Sequence, residues 1–295
     1  MQQVKERIVL FMNEQQYPEQ AIQSLTVALD KVLSCEGKEI FKGIIQDYQA
    51  DYRISADATG EKIKQISLLA GIDERECNQV VYMGLADILK QHYINRGFPL
   101  ENYNDTIKEL KCKLLECHNC FGVWGARTNR VMNTHFAMTR FGMGVFQFEI
   151  IRLPLSAEIN GVKLQKGDKV INIHIPMLGV PLTADARKQS YLKAKEFFKG
   201  HFENMNKTPF YCHTWLLFGR HREMLKPDSN IVSFMNDFDL LIDYDYPDYA
   251  ETWRFFGKQF TTLEEMPKNN SIQKAYAKII ERGEKTGGAE GIFLL

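Results

Sequence analysis

Four polar side chains sit inside otherwise apolar, strand-like runs, and their chemistry is that of proton transfer. Glu149 falls in 145–153, His174 in 170–175, and Cys212 and His213 in 210–218. Successive side chains of a strand point to opposite faces. Gln147 and Glu149 therefore share a face against Phe146, Phe148 and Ile150, and Asn172 and His174 share one against Ile171, Ile173 and Ile175. On the third run His213 goes with Tyr211 and Trp215, and Cys212 with Thr214. If these strands are neighbours, Glu149, His174 and either Cys212 or His213 line one cleft. Glu149 or His174 is then a general base, directly or through a water, and Cys212, His213 or a tyrosine a general acid. The competing reading makes all four hydrogen-bonded sheet residues that fix strand order. A cysteine hydrolase built on Cys212 and His213 is disfavoured, because adjacent strand residues face opposite ways.

The element that must position this chemistry is the stretch 170–200. Residues 170–175 are rich in β-branched side chains and predict a strand. The loop 176–182 is punctuated by Pro176, Gly179 and Pro181. Residues 183–199 predict a helix with Thr183 as N-cap and Gly200 just past its end. A strand that runs through a tight loop into a helix N-terminus leaves backbone N–H groups and a helix dipole available to an anion. Against this, the loop has a single glycine, and Asp185 already occupies the first turn.

Two other clusters invite a functional reading. Cys117, His118 and Cys120, with Cys112 upstream and His135 downstream, have metal-like spacing, but a four-ligand zinc site needs a second matched pair, so no metal is expected. Asp237, Asp239, Asp243, Asp245 and Asp248, interleaved with Phe238, Tyr244, Tyr246 and Tyr249, suit either a cationic amine or a solvated edge that discourages strand pairing.

Along the chain, the first 120 residues predict a bundle of five or six helices, with Pro18 opening the second, Asp73 capping the fifth and Asn104 or Asp105 capping the last. Residues 121–139, rich in Gly, Asn and Thr, form the join, so the expected domains are 1–128 and 129–295. Beyond it come strands, with Asn160-Gly161 as a two-residue turn, then the 183–199 helix, a strand at 210–218, helical residues at 230–239, an extended edge at 240–246, a helix at 271–283 and a closing tail, GGAEGIFLL. The pattern is α+β: a helical bundle followed by a mixed-sheet half.

Composition excludes several classes of function. Lys plus Arg and Asp plus Glu each number 37, so the net charge is zero, which argues against nucleic-acid and anionic-membrane partners. No apolar run approaches the roughly 20 residues that span a bilayer. Six scattered cysteines with no secretory signal at the N-terminus point to a cytoplasmic protein.

Taken together, FGMGVFQFE (141–149), INIHIP (171–176) followed by GVPLTADARKQSYLKAKEFF (179–198), CHTWLL (212–217) and KPDSNIVSFMNDF (226–238) resemble bacterial acyltransferases with an N-terminal helical N-acyltransferase domain and a GNAT-like C-terminal domain. The resemblance covers most of the chain. It implies a GNAT-like acyl-CoA N-acyltransferase architecture, with acetyl-CoA or another acyl-CoA as donor and a small-molecule or peptide amine as acceptor. It also implies that the CoA pyrophosphate and pantetheine lie along Ile173, Ile175, Met177, Leu178, Gly179, Val180, Leu182 and Thr183, on backbone donors and a splayed strand edge. Direct attack by the amine then needs the base and acid named above. The usual loop of such proteins has an Arg or Gln and then two glycines. This chain has Pro176, Gly179 and Pro181 instead, the feature that favours the alternative of a non-catalytic GNAT-like binding protein.

Overall fold

The computed structural model describes residues 1–203, 205–249, 251–258 and 262–295. They divide into two compact units, Met1–Gly142 and Met143–Leu295. Among the described residues the first unit holds seven helices: α1 (Gln2–Glu14), α2 (Glu19–Leu33), α3 (Gly37–Ala50), α4 (Ala56–Ala70), α5 (Glu74–Asn95), α6 (Leu100–Phe121) and α7 (Asn129–Phe136). Helix α5 is the hub. It packs against the other six, and its buried residues, from Cys77 and Val80 through Tyr82 and Leu85 to Tyr93, run around much of its circumference. A helix apolar on most sides belongs in a core. Its start is fixed by a capping box between Asp73 and Glu76.

Two details differ from the sequence expectation. Asn104 and Asp105 lie inside α6, which opens instead after Pro99. The Gly- and Asn-rich stretch 121–139 contains α7, because Thr128 caps it by accepting a hydrogen bond from Arg130 N and Met132 and Phe136 give it a buried face.

Strand β1 (Arg140–Met143) straddles the boundary, and the second unit continues with β2 (Phe146–Arg152), β3 (Ala157–Ile159), β4 (Val162–Leu164), β5 (Lys169–His174), β6 (Pro209–Thr214), β7 (Asp239–Asp245) and β8 (Gly287–Leu294). Helix α8 (Ala184–Phe197) joins β5 to β6. Short α9 (His221–Met224) and α10 (Asn230–Met235) join β6 to β7, and α11 (Trp253–Phe256) and α12 (Ser271–Glu281) lie between β7 and β8. Six strands form one mixed sheet in the order β1-β2-β5-β6-β8-β7, with β3 and β4 as a separate hairpin. Of the pairs β2–β5, β5–β6, β6–β8 and β7–β8 only β5–β6 runs parallel, a pairing that needs a long crossover, here supplied by α8. The hairpin turn is Asn160-Gly161, both at positive φ (50° and 77°), as a two-residue turn requires. The strand expected over 210–218 ends at Thr214, whose hydroxyl accepts from Leu216 N at 3.3 Å and starts a 3-10 turn.

The sheet has two unlike faces. On one, Phe146, Phe210 and Phe293 surround Tyr191 of α8 with ring centroids 5.5, 5.7 and 4.9 Å from it, and Phe148 packs against Phe146 and Phe210. On the other, Val170, Tyr211 and Ile292 pack with Leu153, Ile159 and Leu164, next to the β3–β4 hairpin. Beyond that cluster the same face turns polar.

Candidate active site

Antiparallel pairing of β2 with β5 sets Glu149 opposite Asn172 and Gln147 opposite His174, so Glu149 and His174 are diagonal neighbours on one face. His174 Nε2 lies 2.6 Å from Glu149 Oε1, and Asn172 Nδ2 donates to the same oxygen at 3.2 Å. Both side chains are partly buried, Glu149 at 16% exposure and His174 at 31%. The tautomer that satisfies the pair carries hydrogen on Nε2 and places the basic lone pair of neutral His174 on Nδ1. A carboxylate that orients an imidazole in this way is the arrangement a general base needs.

The β6 side brings three more polar groups to this face. Asn172 pairs with Tyr211, His213 with Glu290, and His213 Nε2 bonds the Tyr244 hydroxyl across β8. Burial, and then the negative neighbour Glu290, push the Tyr211 phenol well above its ordinary pKa. Glu290 Oε2 is buried with no hydrogen-bond partner among the described residues. Cys212 is elsewhere: it is fully buried on the opposite face, its thiol is pushed up in pKa by that burial, and it contacts Ile173 O at 3.5 Å. The structure thus brings Glu149, His174 and His213 to one face and sets Cys212 on the other.

Between the two groups the sheet opens. The pairing of β5 with β6 covers Ile171–Phe210 and Asn172–Tyr211 and goes no further, so the strands part at Ile173. The loop after β5 has little secondary structure. Leu178 N donates to Pro176 O at 2.9 Å, Ala186 N to the Thr183 hydroxyl at 3.3 Å and Arg187 N to Thr183 O at 3.0 Å. The N–H groups of Gly179, Val180, Leu182, Thr183, Ala184 and Asp185 have no partner among the described residues. Gly179 is at φ 72°, with open space where a Cβ would stand. Met177 and Val180 are exposed. A splayed edge therefore leads to a loop and helix N-terminus that present backbone donors.

Sequence reasoning passed over the residue that fixes this loop. Arg187, 2% exposed, bonds Leu182 O with Nη1 at 2.7 Å, Asp237 with Nε at 2.7 Å, and Ser233 O with Nη2 at 3.0 Å. Tyr191 donates to the same Asp237 carboxylate at 3.0 Å. Arg187 looked like one more polar residue of α8, and the spacing carried no signal for partners some 50 residues away. Glu290 was also missed, although the alternation in GGAEGIFLL already set Glu290 and Ile292 on one face, and Tyr244 was read only as part of the acidic-aromatic run. Cys112 and Cys117 are buried along α6, and His118 stacks on Trp124 with centroids 3.4 Å apart. Among the described residues no three His, Cys, Asp or Glu side chains are grouped to hold a metal ion.

The family model of the GNAT-like C-terminal domain matches residues 140–293, and the chain belongs to that family. Three solved structures are similar to it. One is an acyltransferase mutant in complex with octanoyl-CoA: 18% identity over 98% of this chain and 88% of that one, TM-score 0.72. Another is an acyltransferase in complex with decanoyl-CoA and teicoplanin: 18% identity over 97% and 86%, TM-score 0.71. The third is an acyltransferase in complex with decanoyl-CoA: 22% identity over 75% of this chain and 66% of that one, TM-score 0.62. No curated protein matches the chain. At these identities the likeness speaks for the fold: helices first, then a GNAT-like mixed sheet. Among the described residues no helix is long and apolar enough to cross a membrane.

Proposed function

We propose that this protein transfers an acyl group from an acyl-CoA thioester to an amine. The observation that carries the reading is the parting of β5 and β6 beside open loop amides, with the Glu149–His174 pair on one lip. The pyrophosphate lies on the N–H groups of 179–185, the pantetheine arm follows the splayed edge from Ile173, and the thioester carbonyl comes to rest near His174. The amine nitrogen attacks that carbonyl. His174 Nδ1 takes a proton from the nitrogen, and Glu149 stabilises the imidazolium through Nε2. The C–S bond breaks, and the thiolate takes a proton from the β6 side, where His213 and Tyr244 share a hydrogen bond. Cys212 has no part in proton transfer. Similar structures with decanoyl-CoA, octanoyl-CoA and in one case teicoplanin bound support medium-length acyl chains and a small-molecule acceptor.

Thermal shift with CoA and decanoyl-CoA tests the donor half. Ligand at 100 times its dissociation constant stabilises by about 2.7 kcal/mol. Release of free thiol with a panel of amines tests the transfer. No stabilisation by either ligand removes the proposal, and stabilisation without transfer to any amine leaves a binding protein.

A further inference from the structure

A cleft of about 670 Å3 opens on the second unit, between the turn joining α9 to α10 and one face of α12. Its floor is apolar: Leu225, Ala275 and Ile279 belong to a buried core cluster. Its rim is cationic. Lys274, Lys278 and Arg282 succeed one another at four-residue spacing, one above the next on the same helical face, and Lys226 and Arg220 face them. Glu284 bonds Arg220 at 3.1 Å and approaches Arg282 at 3.9 Å. The remaining acidic residues of the rim are Glu223 and Asp228. Lys226, Lys274 and Lys278 form no ion pair with a described residue. An apolar floor under unpaired ammonium groups suits a flat apolar body that carries a compact anion.

The position of the cleft relative to the loop narrows the choice. Ser229, the N-cap of α10, lines the cleft. Ser233, one helical turn on and about 6 Å along the axis, accepts from Arg187, whose other nitrogen holds Leu182 at the end of the loop. One turn of helix thus separates the cleft wall from the arginine that fixes the loop.

We propose that this cleft takes the 3′-phosphorylated adenosine end of the donor, with the base on Leu225, Ala275 and Ile279 and the 3′-phosphate among Lys226, Lys274 and Lys278. The proposal rests on the acyl-CoA reading above. It makes the protein specific for free CoA thioesters over phosphopantetheine thioesters, which lack that end. Calorimetric titration of the full chain with CoA and with dephospho-CoA, which differs by the 3′-phosphate alone, tests it. CoA is expected to bind at least about tenfold more tightly. Lys226→Ala with Lys278→Ala, both at exposed positions, removes that difference while leaving dephospho-CoA binding unchanged. Equal affinities in the unsubstituted protein, or a ratio that survives the double substitution, overturn the assignment and leave the transferase reading intact. Failure of both ligands to bind overturns both.

Discussion

Glu149 and His174 meet because two strands run antiparallel in one register. Glu149 faces Asn172 across the ladder and His174 diagonally, and Asn172 holds the carboxylate by a second hydrogen bond. Each of Glu149→Gln and His174→Gln is expected to lower the turnover number by roughly 100-fold or more, the usual contribution of a positioned base, and to leave stabilisation by CoA intact. Cys212→Ala should turn over near the rate of the unsubstituted protein, because that thiol is buried on the far face against Ile173. Steady-state thiol release by the three variants checks both statements. A folded Cys212→Ala protein that binds CoA and is inactive contradicts the assignment of proton transfer to the polar face.

At the scale of elements, α8 packs along its length and is tied at its first turn by a polar network. Arg187 ties the loop end, α10 and Asp237 together, and Tyr191 closes the set while its ring packs on the sheet. Removing one partner of such a pair strands the other in a poorly solvated place. Arg187→Met is expected to destabilise the protein by about 3 kcal/mol, and adding Asp237→Leu to recover part of it, as urea denaturation would show. An unaltered midpoint for Arg187→Met means that the network is not what holds α8. The acidic run also divides at this scale. Asp237 belongs to the Arg187 network and Asp243 accepts from Gly219 N at 3.0 Å. Asp239 and Asp245 lie exposed on β7, the edge strand, where charge discourages further pairing.

For the whole molecule, the helical layer around α12 contains a titratable group with no catalytic part. His221 is fully buried, between Leu216 O at 3.1 Å and the Tyr276 hydroxyl at 2.7 Å, and burial lowers its pKa to about 4. The folded protein therefore binds fewer protons than the unfolded chain between about pH 4 and pH 6.5. The contribution of His221 to stability is full above pH 6.5 and is lost as pH falls through that window, by about 3 kcal/mol in all. Denaturation at pH 7.0 and pH 4.5 should show the loss, and His221→Gln should flatten the difference. If the slope is the same in both proteins, the proton uptake belongs to another group.

What the sequence determined by itself is local. Alternation in 145–153 and 170–175 set Glu149 and His174 opposite the phenylalanine and isoleucine face, Asn160-Gly161 made a hairpin, and Thr183 capped a helix after a proline-rich loop. Each is decided by neighbours a few residues apart, through pleat, turn dihedrals and unpaired N–H groups. Strand β1 escaped notice because four residues with glycines around them carry too short a pattern. Tertiary structure alone decided that β8 lies between β6 and β7, that β5 and β6 part after Asn172, and that Arg187 finds Asp237. Strand order and long-range partners are chosen by which apolar faces bury together, and that choice leaves no period in the chain.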